Sequence, residues 1–154
     1  MKRILLAIFF LFILPLAEAK DWRGITPLHS TKADVEKILG RTSDGRNTKY
    51  YLKDVNVFID YSEGGCIDGK SGGWNIPPDT VIRFTVVTKY LPKFSTLEID
   101  RAKFKEKKDE EVEGHLYYTN EEEGSIIHVS AYTGEVLGFY YGPSQKEASL
   151  RCPK

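Results

Sequence analysis

Residue types that mark specialised chemistry are scarce in this sequence. Of 154 residues, two are cysteine and one is methionine. Two cysteines cannot build a disulfide-dense miniature fold or a four-thiolate zinc cluster. Excess charge is missing too: 22 basic side chains face 22 acidic ones, so no net field points toward nucleic acid or an anionic membrane. Long apolar runs are confined to Ile4–Leu16, thirteen residues, short of the roughly 20 that a helix needs to cross a bilayer. His29, His115 and His128 have no H-x-x-x-H or H-E-x-x-H spacing for zinc, and no serine sits in a G-x-S-x-G elbow.

The single apolar run has informative flanks. Lys2 and Arg3 precede it and Ala17-Glu18-Ala19 follow, the pattern of a secretory signal peptide over residues 1–19, cleaved after Ala19. The expected mature chain is one domain, residues 20–154, with no transmembrane anchor and no cysteine at its start to accept lipid. Losing Lys2, Arg3 and Glu18 leaves 20 basic and 21 acidic groups. An exported chain with two cysteines favours a Cys66–Cys152 disulfide over a metal pair or a reactive thiol. Closing a loop of that length stabilises by roughly 4–5 kcal/mol if the effect is entropic.

Local patterns predict an α+β fold built on an antiparallel sheet. Thr31 and Asp34 form a capping pair ahead of Val35, Ile38 and Leu39, and Gly40 supplies the stop, which predicts a helix over 32–39 with Leu28 stapling its entry. Asp44-Gly45 predicts a turn. Strands are expected over 48–52, 55–61 and 80–88, with Lys53-Asp54 turning the first into the second. Residues 62–79, rich in glycine and proline, read as an irregular loop. Between 91 and 113, Leu97 and Ile99 suggest a strand and 102–108 a helical turn. Three further strands, 115–119, 125–131 and 135–141, joined by turns at 120–124 and 133–134, make a meander. Tyr50-Tyr51 and Tyr117-Tyr118 open similar β-rich segments. Either two meander halves lie side by side in one sheet, or the likeness is a chance one between tyrosine-rich meanders.

One motif misleads. Gly64 to Ser71 matches G-x-x-x-x-G-K-S/T, but a phosphate-binding loop must run into a helix whose N-terminus faces the phosphates. Gly72, Gly73, Pro77 and Pro78 forbid that helix, so no nucleotide is expected. Glu121-Glu122-Glu123 reads as a solvated turn, because three consecutive carboxylates cannot easily converge on one cation. No metal and no cofactor is expected. Among the aromatics, Trp74, Tyr90, Tyr132, Tyr140 and Tyr141 are either cross-strand and core residues or an exposed contact row. Trp74, Tyr132 and Tyr140 are the contact candidates.

The opening segment Trp22-Arg23-Gly24-Ile25-Thr26-Pro27-Leu28-His29-Ser30-Thr31, continuing through Asp34-Val35 to Leu39-Gly40, resembles that of a family of small uncharacterised secreted bacterial proteins. The likeness extends through Gly73–Pro77 and Tyr117–Gly124. More distantly, the capped helix followed by β-strands is similar to the BamE-like and β-lactamase-inhibitor-like group. That likeness implies an export-compartment binding module without catalysis, although this chain has no lipid-accepting cysteine and no second helix directly after Gly40. The expected function is therefore a secreted or periplasmic, non-enzymatic module that binds an unknown protein partner in the envelope or extracellular space. The alternative is an enzyme acting on an envelope polymer through carboxylates such as Asp60, Asp68 or Glu121.

Overall fold

A computed structural model of the chain describes residues 20–42, 45, 48–66 and 73–153. The expected signal segment, Asp44, Asp68 and residues 67–71 of the G-x-x-x-x-G-K-S/T match lie outside the described residues.

The helix forms where its capping chemistry predicts. In α1 (Lys32–Leu39), the Thr31 hydroxyl accepts from the Asp34 N–H while Asp34 accepts from the Thr31 N–H. Gly40 stops it at φ +86°, a backbone state that costs glycine nothing. Val35 is the residue it buries. Leu28, just ahead of the helix, is buried, and its N–H donates to the Val81 carbonyl.

Seven antiparallel strands follow: β1 (Lys49–Tyr51), β2 (Val55–Tyr61), β3 (Val81–Thr88), β4 (Lys105–Lys108), β5 (His115–Asn120), β6 (Ser125–Ser130) and β7 (Val136–Tyr141). Their order across the sheet is β1-β2-β3-β7-β6-β5-β4. The first three strands form one meander and the last four another. They meet at a seam where Phe84, Thr85 and Val86 of β3 pair with Tyr141, Tyr140 and Phe139 of β7. The side-by-side arrangement of two meander halves is therefore present in the sheet.

One face of the sheet is covered by two hydrophobic clusters. The first gathers Ile25, Val35, Tyr50, Val57, Ile59, Val81, Phe84 and Val86 under the N-terminal segment and α1. The second gathers Ile127, Val129 and Val136, with Phe94, Leu97, Ile99, Phe104, Leu116 and Tyr118 packed against them. Phe139 packs against both.

The stretch 91–113 departs from expectation. Leu97 and Ile99 lie in no strand. They sit in a connection between two 3-10 turns, Phe94–Thr96 and Arg101–Lys103, and their side chains cover the second cluster. The helical turn expected over 102–108 is confined to the second 3-10 turn, and Lys105–Lys108 pairs with β5 instead. Burial of apolar side chains over the sheet decides this segment, and the local pattern does not report it.

The C-terminal tail also has unforeseen structure, a 3-10 helix over Gln145–Leu150. The Ser144 N–H donates to Glu147, whose other oxygen lies 2.7 Å from His29 Nε2. Cys66 and Cys152 are disulfide-bonded, with their Cα atoms 5.4 Å apart. Among the described residues no helix is long and apolar enough to cross a membrane.

Candidate functional site

The second face of the sheet is open, and strand register fixes which side chains it carries, because directly paired residues share a face. Near the end of the sheet where β7 finishes, one row crosses all seven strands: Lys49, Phe58, Thr85, Tyr140, Ile126, Thr119 and Lys105. A parallel row toward the other end carries Tyr51, Asn56, Val87, His128, Tyr117 and Lys107, with Gly138 of β7 beside His128.

Beyond the first row, the Trp74 segment and the C-terminal 3-10 helix rise above the sheet and form a wall. Trp74 pairs with Arg151 in an antiparallel bridge, and the Arg151 guanidinium lies 5.2 Å from the indole centroid. The Cys66–Cys152 bond holds the wall one residue further on. Trp74 divides two hollows. One, of about 720 Å³, is lined by Tyr140, Ile126, Thr85, Thr119 and the wall residues Gln145 and Arg151. The other, of about 870 Å³, is lined by Lys49, Phe58 and Gly73. Asp60 and Arg83 border both, joined by a 2.6 Å hydrogen bond from Arg83 Nε to Asp60.

Trp74 and Tyr140 are thus brought into one groove. Tyr132 is not: it sits in the β6–β7 turn at the opposite end of the sheet, its ring packed over Gly114. Tyr141 points to the covered face, stacked on Phe84 at 4.7 Å, and burial, then the charge of Asp21, pushes its hydroxyl up to about 12. Tyr90 is exposed outside the sheet. Of the carboxylates, Asp60 and Glu121 border the 720 Å³ hollow, and both are exposed.

The histidines are less scattered than the sequence suggests. His115 Nδ1 and His128 Nε2 lie 2.8 Å apart, because the β5–β6 register places them on neighbouring diagonal positions of the open face. Tyr117 stacks on His128 at 4.6 Å and its hydroxyl donates to Asp109. Burial, then the charge of His115, lowers the proton affinity of His128, while Asp109 opposes that. Burial and the bond to Asp109 raise the pKa of Tyr117. No signal short of the strand register could have found this pair. His29 stands apart, against Glu147. Among the described residues no group of three or more His, Cys, Asp or Glu side chains could hold a metal ion.

The three glutamates of the β5–β6 turn diverge. Glu123 lies 3.5 Å from Lys20 and 3.6 Å from Lys103, and Glu122 lies 3.9 Å from Lys146. Among the described residues after Cys66, 73–80 form no helix, so the G-x-x-x-x-G-K-S/T match has no helix over these residues to face a phosphate. No protein-family description, curated protein or solved structure matches the chain.

Proposed function

We propose that this protein is a non-enzymatic binding module of the envelope or extracellular space, and that the open sheet face is its contact surface. The observation that carries this reading is the unequal covering of the sheet. One face is buried under two clusters, while the other presents Trp74, Phe58, Tyr140 and Ile126 around a groove. Exposed aromatic surface concentrated beside a concavity is characteristic of contact sites. The expected signal segment, the disulfide and the resemblance of the opening segment to small secreted bacterial proteins support the same location. Sequencing the secreted protein from its N-terminus is expected to begin at Lys20.

The rival reading, an enzyme using carboxylates, draws on Asp60 and Glu121 bordering one hollow. A carboxyl that donates a proton at neutral pH is ordinarily withdrawn from water. Both of these are exposed, and Arg83 occupies one oxygen of Asp60, which favours the binding reading. The test is saturable binding of the protein to fractionated envelope and secreted material, compared across Trp74→Ala, Tyr140→Ala and Tyr132→Ala. The first two are expected to weaken binding at least tenfold and the third to leave it unchanged. Equal binding by all three would reject the open face as the contact surface. Polymer turnover lost in Asp60→Asn or Glu121→Gln would replace the binding reading with the enzymatic one.

A further inference from the structure

The neutral net charge conceals a polarised distribution. The open face and its wall carry Lys49, Arg83, Lys105, Lys107 and Arg151, while the acids there are Asp60, engaged by Arg83, and Asp109, which accepts from the Tyr117 hydroxyl and the Glu111 and Val112 N–H groups. Glu121 stands at the rim, in the β5–β6 turn. Among the described residues Lys49, Lys105, Lys107 and Arg151 have no carboxylate partner. Three other acids of the second half point elsewhere: Glu106 is on the covered face with Tyr118, and Glu122 and Glu123 pair with lysines at the turn.

The cations frame an aromatic and hydroxyl-rich strip. Lys49 and Lys105 stand at the two ends of one row, with Phe58, Thr85, Tyr140, Ile126 and Thr119 between them. Six inter-strand spacings of ~4.8 Å make that row about 29 Å long, which suits an oligomer rather than a single small molecule. Trp74 and Arg151 stand beside its middle. Flat aromatic rings separated by hydroxyls match the apolar faces and hydroxyl edges of sugar rings. A peptide would instead seek deep apolar pockets for anchoring side chains.

We infer that the open face binds an acidic polysaccharide lying across the strands, its sugar rings on Trp74, Phe58 and Tyr140 and its carboxylates at Lys49, Lys105, Lys107 and Arg151. This inference rests on the binding-module reading and gives that surface its ligand class.

The experiment titrates the mature, oxidised protein at low salt with four probes: polygalacturonate oligomers, neutral dextran oligomers of equal length, polyglutamate and single-stranded DNA. Polygalacturonate is expected to bind at least tenfold more tightly than the other three. Lys49→Ala/Lys105→Ala/Lys107→Ala is expected to weaken it at least tenfold, and so is Tyr140→Ala. The triple variant changes exposed side chains alone, and an unchanged thermal midpoint verifies its fold. Polyglutamate or DNA bound as tightly as polygalacturonate would overturn the inference in favour of unspecific polyanion attraction, and dextran bound as tightly would remove the role of charge. Absence of polygalacturonate binding would overturn the inference alone if Trp74→Ala and Tyr140→Ala still disrupt binding to an envelope protein. If they disrupt nothing, the binding-module reading fails with it.

Discussion

Arg151 and Trp74 are joined twice, by an antiparallel backbone bridge and by a guanidinium stacked 5.2 Å from the indole centroid. Both joints lie beside Cys152, whose N–H donates to the Gly73 carbonyl. The wall of the groove is therefore as firm as the Cys66–Cys152 bond. The paired variant Cys66→Ser/Cys152→Ser is expected to lose about 2–5 kcal/mol of stability, read by urea denaturation. Its Trp74 fluorescence, isolated in a Trp22→Phe background, is expected to become more solvent-quenched. In the unmodified protein, thiol labelling without reductant should detect no free cysteine, and labelling of two would refute the bond.

Phe139 touches both hydrophobic clusters. Truncation leaves a cavity shared by the two halves, so Phe139→Ala is expected to cost about 3 kcal/mol. Phe139→Leu, which keeps most of the volume, is expected to cost markedly less. Equal losses for the two in denaturant titrations would show that filling the space is not what Phe139 contributes.

Acid is expected to destabilise the fold in two stages. Burial and His115 hold the His128 pKa below its ordinary value, so the unfolded chain protonates this site first. Stability is complete above the unfolded histidine value, about 6.5, and falls as pH drops through the lower folded value. The groups facing His128 are His115, Tyr117, Tyr140 and, through Tyr117, Asp109, with Lys107 paired to Tyr117 on the neighbouring strand. The second stage comes from the depressed carboxyls of Asp34, Asp109 and Glu135. Hydrogen bonds from the Thr31 N–H, the Glu111 N–H and Lys93 are the respective leading causes. Their contribution is present above about pH 4 and is lost as pH falls further. Denaturant midpoints measured from pH 7.5 to 3 should show both slopes, and His128→Phe should flatten the first alone. An unaltered first slope in that variant would assign it to another group.

Gly124 closes the β5–β6 turn at φ +66°, and a Cβ there would run into the Gly142 carbonyl oxygen and the Pro143 backbone. Neither obstacle is a flexible side chain. Gly124→Ala is expected to lower stability by about 2–4 kcal/mol, combining overpacking with left-handed strain. Gly134→Ala has the strain without the collision, since nothing lies within 4 Å of its Cβ position, and is expected to cost about 1 kcal/mol. A thermal-shift comparison that ranks the two equally would contradict the collision.

The parts of this molecule governed by local chemistry were legible in its sequence. Thr31, Asp34 and Gly40 mark both ends of the helix, and the strands expected over 55–61 and 125–131 form over Val55–Tyr61 and Ser125–Ser130, burying Val57, Ile59, Ile127 and Val129. The disulfide followed from the expected compartment and the cysteine count. Leu97, Ile99 and the 3-10 helix over Gln145–Leu150 were not legible in the same way, because contacts distant in sequence set their conformation. The groove was half legible. Trp74 and Tyr140 stood out as aromatics, but the register that leaves Tyr132 at the other end of the sheet, pairs His115 with His128 and aligns Lys49 with Lys105 is a property of pairing between strands. No single stretch encodes it.

The seam between β3 and β7 rests on three paired positions, against seven between β2 and β3 and six between β5 and β6. Its partners, such as Val86 and Phe139, are also far apart along the chain. Each meander can zip from its own turns, whereas the seam must wait for a long intervening segment to be drawn in. Joining of the two halves is thus expected to be the slow, entropy-limited step of folding. Until it is complete, each half presents an unpaired strand edge to any other copy nearby.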